Sequence, residues 1–103
     1  MQQSSTITTA TVSNNTIGSS SSANSINFNA LQTTGTLATV QVHGINLVSA
    51  SGTNIIENNV IGNLTNGNAT ANSSVFIRGI STSSGVNRIV NNVIRNLNTA
   101  TGS

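Results

Sequence analysis

The chain has 103 residues and a formal net charge of +2, carried by three arginines and one glutamate, with no lysine or aspartate. Hydrophobic residues make up 35% of it and aromatics 2%, while Asn, Ser and Thr together fill 49 positions. These counts exclude the cation-rich footprint of a nucleic-acid binder, the absence of cysteine excludes a disulfide framework or thiolate metal site, and no window approaches the ~20 apolar residues of a membrane span.

A chain of this length fits one domain and buries only about 60–65% of its unfolded surface. Its core must come from Ile, Val and Leu placed at regular intervals, residues that with Thr favour strands. Low charge and patterned apolar positions argue against disorder, which usually pairs low hydrophobicity with high net charge. No proline interrupts any segment.

In chain order, Met1-Gln2-Gln3-Ser4-Ser5-Thr6 has neither the positive start nor the apolar run of a signal peptide. The sequence reads as an excised piece of a longer repeat protein. A Thr-rich run follows at Thr6-Ile7-Thr8-Thr9-Ala10-Thr11, and then Val12-Ser13-Asn14-Asn15-Thr16-Ile17-Gly18. Residues 19–37 show less pattern, although Ile26-Asn27-Phe28-Asn29 suits an extra strand or a hairpin arm. Next come Val40-Gln41-Val42-His43-Gly44-Ile45 and Asn54-Ile55-Ile56-Glu57-Asn58-Asn59-Val60-Ile61-Gly62-Asn63-Leu64. Both recur, in the same order, as Val75-Phe76-Ile77-Arg78-Gly79-Ile80 and Asn87-Arg88-Ile89-Val90-Asn91-Asn92-Val93-Ile94-Arg95-Asn96-Leu97. The Asn-Asn element repeats at an offset of 33, and its degenerate first copy at Asn14-Asn15 lies 44 residues earlier. Variation confined to linkers is what stacked rungs with loops on one side produce.

The period inside each element is two, the period of a strand. Val40, Val42 and Ile45, like Val75, Ile77 and Ile80, are expected inside, with Gln41, His43, Phe76 and Arg78 outside. Gly44 and Gly79 are expected to mark a bulge or bend. In the second element Ile56, Ile61 and Leu64 are expected to stack beneath Ile89, Ile94 and Leu97. The alternation slips by one residue at each Asn pair, and Asn tolerates left-handed backbone better than other non-glycine residues. The pairs therefore read as bends, with Asn15, Asn59 and Asn92 in a column whose side-chain amides bond along the stack.

The pattern Gly-Ile, then a Ser/Thr/Gly-rich turn, then Ile-x-Asn-Asn-x-Ile-x-Asn-Leu resembles the right-handed parallel β-helix repeats of the pectin-lyase-like superfamily. It looks most like the Asn/Ser/Thr-rich forms in large bacterial secreted or surface proteins. The resemblance covers roughly residues 5–100 and is strongest over 40–98. It implies an all-β chain forming a right-handed parallel β-helix of about three rungs, a single segment over 1–103 with rungs near 5–39, 40–74 and 75–103. It also implies an extracellular or cell-surface location.

The superfamily's pectate- and polygalacturonate-cleaving members use clustered carboxylates, and this chain has only Glu57. Two carboxyl groups for glycoside hydrolysis and an oxygen-rich calcium cage are both out of reach. No catalytic residue, cofactor-binding residue or metal ligand is assigned, and the chain is expected not to be an enzyme. His43 aligns with Arg78 and is expected as a solvated surface histidine; one His without Cys falls short of a zinc set. Glu57 lies diagonal to Arg88 on the neighbouring rung, where a cross-rung ion pair is expected. Asn14, Asn63, Asn68 and Asn72 open Asn-x-Ser/Thr sequons, which this composition generates by chance. The Thr run suggests an ice-binding face, but the equivalents near 54 and 87 lack Thr-x-Thr. Three roles stay open: a structural or adhesive module, a carbohydrate-binding or carbohydrate-processing β-helix with its active residues elsewhere, and a self-assembling solenoid. The partners these imply are surface glycans or end-to-end copies of the chain, with no nucleic acid and no membrane insertion.

Overall fold

A computed structural model describes residues 1–4, 9–23, 25–28, 41–48, 52–67 and 76–99. Among them all regular structure is β: β1 (Gln2–Ser4), β2 (Thr9–Ser13), β3 (Thr16–Gly18), β4 (Ile26–Phe28), β5 (Gln41–Val48), β6 (Thr53–Glu57), β7 (Val60–Asn66), β8 (Phe76–Thr82), β9 (Val86–Val90) and β10 (Val93–Thr99). The strands form three sheets, β1-β5-β8, β2-β6-β9 and β3-β7-β10, with β4 also on β7. Every pairing is parallel. The chain thus visits the three sheets in the same order three times, and the middle visit, β5-β6-β7, is flanked on both sides.

Register follows the repeat. Ile17 pairs with Ile61 and Ile61 with Ile94, while Val12 pairs with Ile56 and Ile56 with Ile89. In the first sheet Val42 lies on Ile77, His43 on Arg78 and Ile45 on Ile80. Because a slip of one residue would turn every side chain to the opposite face, the apolar alternation and the Asn column enforce the same alignment.

The buried core is Ala10, Val12, Ile45, Leu47, Ile56, Ile61 and Leu64, with Ile17, Ile77, Ile80 and Leu97 packed on it. Five of the seven belong to the middle visit, because only there does the next strand cover both sides. Ile56 and Ile61 are fully buried, whereas their partners Ile89 and Ile94 are 49% and 44% exposed. Leu47 was not anticipated from the repeat, since the first element was read only as far as Ile45. Val40 and Val75 lie outside the described residues, as do all of residues 29–40.

Two expectations gain detail. Gly44 and Gly79 are buried residues within β5 and β8, with no positive φ. A Cβ on either would lie 2.6 Å from Cγ2 of Ile61 or of Ile94, respectively. The glycines therefore let the first sheet approach the third closely, which a side chain would prevent. Ile26–Phe28 is the extra strand of the two alternatives and not a hairpin arm, since its pairing with β7 is parallel. It continues the third sheet, Ile26 pairing with Leu64, after the chain leaves at Gly18 (φ +80°) and returns. Between Ile17 on Ile61 and Ile26 on Leu64 the offset drops by six residues, the length of a Ser-rich excursion. Within it, Ser19 Oγ accepts the Ser21 and Ser22 amides at 3.1 and 2.8 Å.

Candidate functional site

The most developed polar structure is the corner between the second and third sheets, where each Asn pair divides its labour. The first member turns the chain: Asn14, Asn58 and Asn91 have φ of 58°, 56° and 54°. A short polar side chain tolerates this left-handed geometry. The second member bonds along the stack. Asn15 donates its backbone N–H and Nδ2 to Asn59 Oδ1, both at 3.0 Å. Asn59 repeats this toward Asn92 Oδ1, at 3.0 and 2.9 Å. The remaining amide proton of each reaches back to a strand carbonyl: Asn59 to Val12 O at 2.9 Å and Asn92 to Ile56 O at 2.8 Å. Asn59 is fully buried, and each unmet polar group there would cost about 1–3 kcal/mol.

Two further amide pairs flank this column. Asn54 Nδ2 donates to Asn87 Oδ1 at 2.8 Å and to Ser84 O at 3.1 Å. Asn96 Nδ2 donates to Asn63 Oδ1 at 3.0 Å, and Asn63 Nδ2 to Ser19 O at 2.7 Å. Asn63 and Asn96 also hold left-handed backbone, with φ of 55° and 52°. The sequence reading did not single out this second left-handed column, although the recurrence of Asn-Leu at the same offset carried the signal.

Glu57 and Arg88 form the expected ion pair, Arg88 Nη1 to Glu57 Oε2 at 2.6 Å. It is surface-exposed and contributes about 0–1 kcal/mol. His43 is not the freely solvated side chain that its outward position implies. It is half-buried, its ring meets Phe76 edge-on at 5.7 Å, and its Nδ1 is buried without a partner. Desolvation pushes its pKa down, helped by the charges of Arg78 and the Met1 amine. The Arg78 guanidinium lies 4.2 Å from the centroid of the Phe76 ring, a cation–π contact. This outer cluster on β5 and β8 brings His43, Phe76 and Arg78 together but keeps Glu57, on β6, in the ion pair with Arg88. It therefore assembles no acid–base pair.

Among the described residues no three His, Cys, Asp or Glu side chains gather as a metal site. Of the sequon asparagines, Asn14 is the exposed bend residue, and Asn63 is buried and bonded. Asn68 and Asn72 lie outside the described residues. Thr9 and Thr11 are exposed on β2, but the residues in register on the next strands are Thr53 and Ile55, then Val86 and Arg88. Among the described residues no threonine array forms. No family model, curated protein or solved structure matches the chain.

Proposed function

We propose that the chain is a segment of a right-handed parallel β-helix of about three coils, serving as a non-catalytic structural or adhesive module of an extracellular or cell-surface bacterial protein. The asparagine corner carries this reading: one hydrogen-bonded column runs through all three visits while the strands on either side stay in register. Such a column fixes the spacing of successive coils, so the polar residues serve to hold the stack upright. The chemistry left over is slight. The single carboxylate is held by Arg88, and the histidine is packed against an aromatic ring. The location follows from the resemblance of the repeat to Asn/Ser/Thr-rich β-helix segments of secreted and surface proteins.

A carbohydrate-binding segment is the second reading, and the outer cluster gives it one anchor. Phe76 is an aromatic on which a sugar could stack, but one ring face is already occupied by Arg78.

Two measurements test the proposal. Duplicating residues 66–98 after Asn98 adds one period of the repeat. A coil stack is expected to lengthen by about 4.8 Å and to melt at higher temperature, whereas loss of the β circular dichroism spectrum overturns the architecture. Incubation with polygalacturonate and exposure to a glycan array are expected to give no product and no binding. Product overturns the non-catalytic role, and saturable oligosaccharide binding replaces the structural role with the second reading.

A further inference from the structure

We propose that Asn66–Gly67 is a spontaneous deamidation site that β4 holds closed, so that conversion of Asn66 to aspartate and isoaspartate follows release of β4 from β7. Asn66 is the one asparagine in the chain that is followed by glycine. The reaction uses the backbone nitrogen of the next residue as its nucleophile, and glycine has no side chain to hinder that nitrogen. The corner asparagines are protected by their neighbours. Asn15, Asn59 and Asn92 precede Thr16, Val60 and Val93, whose β-branched side chains are stiff and crowd the approach. Asn66 has no such neighbour, and its protection comes from the fold.

Gly67 N–H donates to Phe28 O at 2.7 Å, so freeing the nitrogen breaks a bond to β4. Asn66 is fully buried, stands in register with Phe28, and donates Nδ2 to Phe76 O at 3.2 Å. It is also the last residue of the extended strand β7, where the backbone must turn before Gly67 N can reach Cγ. β4 is three residues long, against seven for β7 and seven for β10, and short elements open locally before the whole fold does. Once β4 leaves, Gly67 N gives its proton to solvent hydroxide and attacks Cγ of Asn66. An N–Cγ bond forms, the Cγ–Nδ2 bond breaks, and Nδ2 departs as ammonia, leaving a cyclic succinimide. Water opens the ring at Cγ to give aspartate, or at the main-chain carbonyl carbon to give isoaspartate. Neither product restores the closed arrangement. An aspartate carboxylate has no proton to give Phe76 O, and burying it unpaired is costly. Isoaspartate lengthens the main chain by a methylene and displaces Gly67 N from Phe28 O. Release of β4 is thereby recorded permanently.

Peptide mapping by mass spectrometry of the full chain, which reads the amide-to-acid change at each asparagine, is the test. In denaturant Asn66 is expected to convert before any other asparagine, giving both aspartate and isoaspartate, and Gly67→Ala is expected to slow it. In buffer the wild-type rate is expected to fall by at least about tenfold, in proportion to the open population. Phe28→Pro fixes φ and removes a strand N–H. It is expected to raise the rate in buffer toward the denatured value while the β circular dichroism melt stays cooperative. A urea series on the wild-type chain asks the same question without a substitution, and conversion is expected to accelerate below the unfolding transition. Equal wild-type rates in buffer and denaturant overturn the protection. Conversion that yields aspartate alone, or that Gly67→Ala leaves unchanged, overturns the ring-closure route. A rate that tracks global unfolding through the urea series overturns β4 as the gate, as does a folded Phe28→Pro chain that converts no faster than wild type.

Discussion

Ala10 stands in register with Asn54, and Asn54 Oδ1 is buried with no donor. The same column continues as Asn54 to Asn87 with a 2.8 Å amide bond, Asn54 donating forward. The direction of that bond identifies what is missing: an amide one visit earlier would give its Nδ2 proton to Asn54 Oδ1. Ala10→Asn is therefore expected to stabilise the chain by about 1 kcal/mol, recovering part of the roughly 1–3 kcal/mol cost of an unmet buried acceptor. The measurement is the urea midpoint at constant m value. A lower midpoint would show that the column has no room for the amide.

Burial across one register column should grade the cost of a charge. Ile61 is fully buried between Ile17 and Ile94, while Ile94 is 44% exposed. Ile61→Asp places an unpaired carboxylate in the core and is expected to abolish the folded state. Ile94→Asp keeps access to water and is expected to lower the melting temperature without removing cooperativity. If Ile61→Asp retains a wild-type melt, the inward assignment of the third sheet is wrong.

The two members of an Asn pair should respond oppositely to the same substitution. Asn58 has φ +56°, so Asn58→Gly is expected to be neutral or mildly stabilising, and Asn58→Val to cost about 1–2 kcal/mol of left-handed strain. Asn59→Gly removes an acceptor of two bonds and a side-chain donor of two. It is expected to cost at least about 2 kcal/mol in chemical denaturation. Equal effects of the two glycine variants would contradict the division of labour.

How much of this was legible in the sequence depended on whether a residue's role repeated. The column of Asn15, Asn59 and Asn92 and the stacks of Ile17, Ile61 and Ile94 were readable, because the offsets of 44 and 33 are also the pairing offsets. The Glu57–Arg88 pair followed from that register. The all-β, parallel character was legible on the same grounds. Three features were not. Leu47 has no apolar counterpart at its paired position, Thr82, so the repeat gave no sign of it. Gly44 and Gly79 did repeat, but a glycine needed for close approach looks the same in sequence as one needed for a bend. His43 was placed on the right face, yet its partial burial depends on Phe76 reaching across from β8, a tertiary contact that strand alternation does not encode.

Gly44 gives a direct test of that close approach. A Cβ there would stand 2.6 Å from Ile61 Cγ2 and 2.6 Å from the Gly79 carbonyl oxygen. Gly44→Ala must push the first sheet outward or drive Ile61 from its rotamer, at a cost of about 1–3 kcal/mol. Pairing it with Ile61→Val, which shortens the opposing side chain, is expected to recover part of the loss. A double-mutant cycle in thermal melts reads that coupling, and strictly additive effects would rule out the contact.

His43 should give the chain a stability that declines in acid. Its pKa is lowered from the ordinary 6.5, first by desolvation and then by the charges of Arg78 and the Met1 amine. The folded state therefore resists protonating the ring while the unfolded chain does not. Below about 6.5 the unfolded state binds more protons, so stability rises with pH across the window between the folded and unfolded values. It is full above the unfolded value and lost as pH falls through that window. His43→Gln removes the titration, so its melting temperature is expected to be flatter than wild type's between pH 7 and pH 4. Arg78→Gln removes one source of the depression and is expected to shrink the wild-type slope without eliminating it, since desolvation is the larger cause. A wild-type melting temperature that rises on acidification through this range would reverse the sign and place the ring in a site that favours its charged form.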